Sequence, residues 1–181
     1  MKLTDFYASS TVCAPSRASL MTGLHTGHGY IRGNKEIKPE GQHPLPAKAE
    51  TIPEVLKSAG YVSGMFGKWG LGFPGSEGDP MNQGFDRFYG LNCQRQSHNF
   101  YPTHVWSDRN KVELNRKKYS HSLIADECLK FIRKNKDNPF FCYVPFTIPH
   151  AAMQSPEERI APWRKKFPEF ENVTGKYGGS V

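Results

Sequence analysis

The sequence predicts an α/β protein, a mainly parallel sheet with helices packed against it. Three observations carry that expectation. Residues 51–69 run capping box, short helix, glycine and β-rich stretch in close order. Residues 119–147 repeat the pattern with a longer amphipathic helix, a turn and an apolar run. The chain just past each apolar run carries a polar side chain, Lys68 and His150, and ligands gather at the carboxyl ends of strands in open α/β sheets.

Leu3 to Tyr7 is a candidate strand, followed by a short polar turn and Cys13. Pro15 suits a first helical turn, because its absent N–H would have no intrahelical partner there. Ala18 to Met21 continue the helix and Gly23 stops it. Cys13 then sits at a helix N-terminus with Arg17 one turn inward. Unpaired N–H groups and the helix dipole there favour an anion, or a nucleophile that handles one. On spacing alone a buried cysteine before a helix is the commoner reading of the same residues.

Residues 25–34 form a Gly-rich loop in which Arg32 and Asn34 either line a pocket or supply ordinary loop polarity. An irregular stretch with three prolines follows, to Glu50. Thr51-Ile52-Pro53-Glu54 is a capping box; Val55, Leu56 and Ala59 give its helix an apolar face, and Gly60 closes it. Tyr61 to Gly67 reads as a strand delivering Lys68 and Trp69. Residues 72–101 show little periodicity and read as loop, with Asp79 and Asp86 either cation ligands or turn formers, and His98 in a polar-aromatic setting. Tyr119 to Lys134 is the clearest helix: Leu123/Ile124, Cys128 and Phe131/Ile132 recur at helical spacing, and Asp126 faces Lys130 four residues on. After a turn at 137–139, Phe140 to Thr147 reads as a strand buried on both faces, ending at Ile148-Pro149-His150. The remainder is Pro- and charge-rich, with a frayed end at 175–181.

The 181 residues suffice for one domain with a proper core, and 37% hydrophobic residues exclude a disordered chain. No apolar run approaches the roughly 18 residues of a membrane span, and the first residues carry no signal-peptide core. The four cysteines lie far apart without metal-ligand spacing, so buried thiols are expected at Cys128 and Cys142. A formal charge of +7 suits an anionic ligand. Its densest patches, 109–118 and 164–166, lack the interleaved aromatics of a nucleic-acid surface and read as solvated faces.

Cys13-Ala14-Pro15-Ser16-Arg17 resembles the Cys-x-Pro-Ser-Arg signature of the type I sulfatases, and Leu20-Met21-Thr22-Gly23 resembles its continuation. Gly67-Lys68-Trp69-Gly70-Leu71-Gly72 resembles a second signature, and Gly84 to Gly90 the pattern after it. The resemblance implies an alkaline-phosphatase-like sandwich and hydrolysis of sulfate esters of the arylsulfatase type. It implies that Cys13 is oxidised to formylglycine by a maturation enzyme and, in that form, also contacts a calcium ion. Arg17 would support the nucleophile, Lys68 would bind a sulfate oxygen, and His150 would bind sulfate or protonate the leaving group. The family's paired Asp ligands and its later Asp-Asn or Asp-His pair have no match here. Residues 1–181 therefore read as a partial catalytic domain, inactive alone, from a periplasmic or secreted enzyme acting on a sulfated small molecule or glycan. Many members have His where Gly70 stands; His98 is the expected replacement. Two alternatives stay open: a phosphoester or phosphonate hydrolase of the same superfamily, and a non-catalytic basic module binding sulfated glycans.

Overall fold

The computed structural model describes residues 2–150 and 154–167. In chain order these form α1 (Cys13–Thr22), α2 (Ile52–Ser58), β1 (Val62–Lys68), β2 (Arg87–Leu91), β3 (His104–Ser107), β4 (Asn110–Glu113), α3 (Ser120–Asn135), β5 (Phe140–Tyr143) and α4 (Glu157–Lys166). The five strands make one sheet in the order β4-β3-β2-β1-β5. β1 pairs in parallel with β2 and β5, while β3 and β4 extend the sheet antiparallel beyond β2. The expected α/β architecture is present, with a parallel centre and a hairpin at one edge.

Alternation along the central strands divides the core in two. Met65 and Phe88 join Ala14, Ala18 and Met21 of α1 and the partly buried Ile52 of α2. Their neighbours Phe66, Tyr89 and Leu91 join Ile124, Cys128 and Phe131 of α3. Successive strand residues point to opposite faces, so the sheet is covered on both sides. At the centre β1 and β2 approach closely: a Cβ on Gly90 would lie 1.9 Å from the Gly67 carbonyl oxygen, so only glycine fits there.

Several expectations are corrected. Residues 3–7 form no strand; Leu3, Phe6 and Tyr7 are exposed, with no strand partner among the described residues. α2 carries its capping box, with the Thr51 N–H donating to Glu54 at 2.9 Å. It buries Pro53, however, and leaves Val55 half exposed. β5 is four residues long and only half buried, because among the described residues it pairs with β1 alone. Lys130 pairs with Glu127 at 2.7 Å, and Glu127 also holds Arg87 at 2.8 Å; Asp126 is left at the surface. β2, the β3–β4 hairpin and α4 lie where loop or irregular chain was expected. Asp79 and Asp86 are turn and strand-end acceptors: Asp79 takes the Met81 and Gly75 N–H groups, Asp86 that of Ser63. The expected frayed end at 175–181 lies outside the described residues.

Phe131 anchors the α3 face, its ring centroid 5.3 Å from Phe66 and 5.9 Å from Phe140. Phe131→Ala leaves a cavity between helix and sheet that cannot collapse against β1. A loss of about 3–5 kcal/mol in urea denaturation of the whole protein is the expected outcome.

Candidate active site at the start of α1

Cys13 is the first residue of α1 and is partly exposed, in a turn whose cap residue Val12 supplies no side-chain bond. The cap comes from a distant loop: the Ala14 N–H donates to Asn34 Oδ1 at 2.9 Å, which pins residues 24–34 to the helix start. One turn on, Arg17 Nη1 donates to the backbone carbonyl of Lys68. Lys68 closes β1; its own N–H donates to the Pro145 carbonyl at 3.0 Å, so the chain leaving β5 holds the same residue from the other side. Its ammonium returns to the helix, with Nζ donating to Cys13 Sγ at 3.5 Å. Helix start and strand end thus close a triangle of thiol, guanidinium and ammonium. Tyr143 of β5 lines the same cleft, near enough to Arg17 for that charge to act on its phenol.

These residues line a cleft of about 750 Å³ whose rim includes Phe146, Ile148 and His150. The His150 ring stacks on that of His98, centroids 4.2 Å apart and planes 14° apart. Among the described residues lining the cleft there is no Asp or Glu. Lys68 is only 2% exposed. Burial pushes its ammonium below the ordinary lysine value; the Cys13 sulfur opposes this and the Arg17 charge adds to it. Burial raises the Tyr143 phenol, with Arg17 acting against the rise. A concave site with two cations and no carboxylate is preorganised to hold an anion against Cys13.

The sequence-derived residues divide. Cys13, Arg17, Lys68 and His150 meet in the cleft, and His98 reaches it through His150. Arg32 does not line the cleft; its guanidinium donates to the Gly27 and Gly29 carbonyls and ties its own loop. Asn34 acts on the helix start rather than lining the cleft. The space beside Gly70 is filled by the Gln94 side chain, whose Nε2 would lie 2.2 Å from a Cβ there. Tyr143 carries no sequence signal of its own, because inside Phe140 to Thr147 it reads as one more apolar core residue. Among the described residues no group of three His, Cys, Asp or Glu side chains could hold a metal ion. These residues alone do not fit a calcium site.

Comparison with known proteins matches this geometry to a family. The sulfatase family model matches residues 1–181. An arylsulfatase of Hemicentrotus pulcherrimus is 33% identical, over 100% of this chain and 35% of its own length. Human arylsulfatase A is 44% identical, over 50% of this chain and 18% of its own. Among solved structures, Ps i-CgsB superposes with a TM-score of 0.72 at 27% identity, covering 97% of this chain and 42% of that one. A second structure of Ps i-CgsB, in complex with k-i-k-neocarrahexaose, gives 0.69 at 26% identity, with the same coverage of both chains. The chain thus spans about a third of the length of the first of these relatives. Two signatures in order, the cleft they build and a family match along the whole sequence agree: this chain belongs to the sulfatase family.

Proposed function

We propose that the whole protein hydrolyses sulfate esters at the Cys13 cleft and that its substrate is a sulfated glycan. The observation that carries this reading is the 3.5 Å approach of Lys68 Nζ to Cys13 Sγ, inside a cleft whose other fixed charge is Arg17. Lys68 binds a sulfuryl oxygen, and its charge offsets the negative charge that grows on the group under attack. Arg17, anchored on the Lys68 carbonyl, fixes that lysine's backbone and adds positive charge beside Cys13. His150, held by the stacked His98, stands at the rim to protonate the departing alcohol oxygen.

A thiol is not the proposed nucleophile. Formylglycine made from Cys13 by a maturation enzyme supplies, when hydrated, a hydroxyl to attack sulfur. Calcium belongs to the same proposal, with its carboxylate ligands drawn from outside the described residues. The choice of a glycan is supported by the neighbour Ps i-CgsB, whose structure in complex with k-i-k-neocarrahexaose shares this fold. Export to the periplasm or beyond the cell, where such glycans are met, is part of the proposal.

Turnover of an aryl sulfate against an aryl phosphate tests the reading, using the whole protein co-expressed with a formylglycine-generating enzyme. A kcat/KM favouring the sulfate by at least about 100-fold, equivalent to ~2.7 kcal/mol, is expected. The Cys13 peptide should carry an aldehyde in place of its thiol on mass analysis. An unmodified thiol with no turnover would leave only a binding module.

A further inference from the structure

We propose that Cys128 and Cys142 form an intrachain disulfide that clamps α3 onto β5 and so braces the strand leading into the cleft. The inference stands apart from the sulfatase reading. Cys128, in α3, is 7% exposed, and Cys142, in β5, is partly buried. Their sulfurs stand 3.6 Å apart, and among the described residues no other pair of cysteine sulfurs is in contact. The contact has a cause in the sheet. Gly64 of β1 is the register partner of Cys142. A Cβ on Gly64 would lie 2.8 Å from the Phe131 ring, so the bare glycine lets α3 settle closely on the strands. Phe131 follows Cys128 by three residues on the same face of the helix, which carries the Cys128 sulfur down to that of Cys142.

A disulfide needs the sulfurs about 1.6 Å closer, a movement shared between the torsions of two side chains. Closure is a two-electron oxidation, and a low-molecular-weight disulfide such as oxidised glutathione serves as the oxidant. The partly exposed Cys142, as its thiolate, attacks one sulfur of that disulfide and expels the other as a thiolate. Cys128 then attacks the Cys142 sulfur of the mixed disulfide and expels the second. Two S–H protons are given up, one S–S bond is exchanged for another, and the oxidant leaves as two thiols. Burial, and after it the Cys128 sulfur, push the Cys142 thiol up to about 12. Formation is therefore slow at neutral pH and quickens with alkalinity, as suits a bond that braces a fold rather than one that switches. The brace reaches the site. Among the described residues β5 pairs with β1 alone, and the chain leaving it gives the Pro145 carbonyl to the Lys68 N–H and Phe146, Ile148 and His150 to the cleft.

The test equilibrates the whole protein with oxidised glutathione at pH 8.5 until its mass is constant, beside a sample held in dithiothreitol. Alkylation after unfolding, followed by peptide mass analysis, should show the Cys128 and Cys142 peptides joined and lighter by two hydrogens. The melting temperature of the oxidised sample is expected to exceed that of the reduced one by about 5–10 °C, because the bond closes a loop of about 15 residues. Cys142→Ala, which removes only a partly exposed thiol, should lose that difference, and so should Cys128→Ala. Neither readout needs turnover, so a failure of the sulfatase reading leaves this result standing. Both thiols alkylated after equilibration, or glutathione retained on Cys142 beside a free Cys128, would overturn the proposal. So would a joined pair with unchanged melting, or a melting difference that persists in Cys142→Ala and therefore belongs to another cysteine.

Discussion

Cys13→Ala in the whole enzyme is expected to abolish sulfate-ester hydrolysis, by a factor on the order of 10⁴–10⁶, while leaving sulfate binding nearly intact. The asymmetry follows from the division of labour in the cleft. Cys13 is the only residue of the triangle that can furnish a nucleophile; Arg17 and Lys68 furnish charge. Arg17 is anchored on a backbone carbonyl rather than on the sulfur, so removing the sulfur does not release it. Cys13 is only partly buried, and alanine is an excellent residue for the first turn of a helix, so melting should change little. Cys13→Ser sharpens the result. A serine hydroxyl beside Lys68 is a serviceable nucleophile for direct attack, but it cannot be turned into an aldehyde by an enzyme that reads a thiol. Serine at more than about a tenth of parental kcat would remove formylglycine from the account; a loss comparable to alanine supports it.

The division between what the sequence announced and what it concealed has physical causes. α1 was legible because Pro15 suits a first turn and Gly23 marks a left-handed stop, observed at φ +69°, and α3 because its apolar residues keep helical spacing. β1 was legible because a capping box and a closing glycine frame it. β2 was not, although it lies at the centre of the sheet. Its five residues, Arg87-Phe88-Tyr89-Gly90-Leu91, begin with a charge and are interrupted by a glycine, which weakens a strand signal in isolation. That glycine is required by the neighbouring strand, a constraint that a single-sequence window does not contain. The β3–β4 hairpin hides for a related reason: Asp108, at φ +53°, turns the chain without a glycine to mark it.

The site divides along the same line. Cys13, Arg17 and Lys68 stand in short motifs whose order along the chain survives folding, so the sequence pointed to each of them. Tyr143 enters through packing. It reads as a core aromatic, and only the alignment of β5 against β1 brings it to the cleft. Arg32 shows the converse. Its loop carried the right residue types, but nearer backbone carbonyls claimed the guanidinium.

Lys68→Met should separate function from stability within a single side chain. In the whole enzyme the expected loss in kcat/KM is on the order of 10²–10³, the scale seen when one fixed donor to a developing anion is removed. Stabilisation by inorganic sulfate should fall with it. Thermal stability in the absence of sulfate should hold or rise, because the folded state carries this ammonium at a cost. Burial drives its pKa below the ordinary 10.5, Arg17 adds to that effect, and the Cys13 sulfur offsets only part. The unfolded chain therefore holds the proton more tightly than the folded one. Below the lowered pKa both states are charged and folding bears the full cost; the cost fades as the pH climbs from there through 10.5, where the unfolded lysine also gives up its proton. Methionine, close in length and with nothing to desolvate, removes the penalty across the neutral range. The parent should thus gain stability relative to the variant as the solution becomes alkaline. A parallel pair of stability–pH curves would mean that Lys68 is as well hydrated in the fold as in the open chain, and a variant with near-parental kcat/KM would take the sulfuryl oxygen away from it.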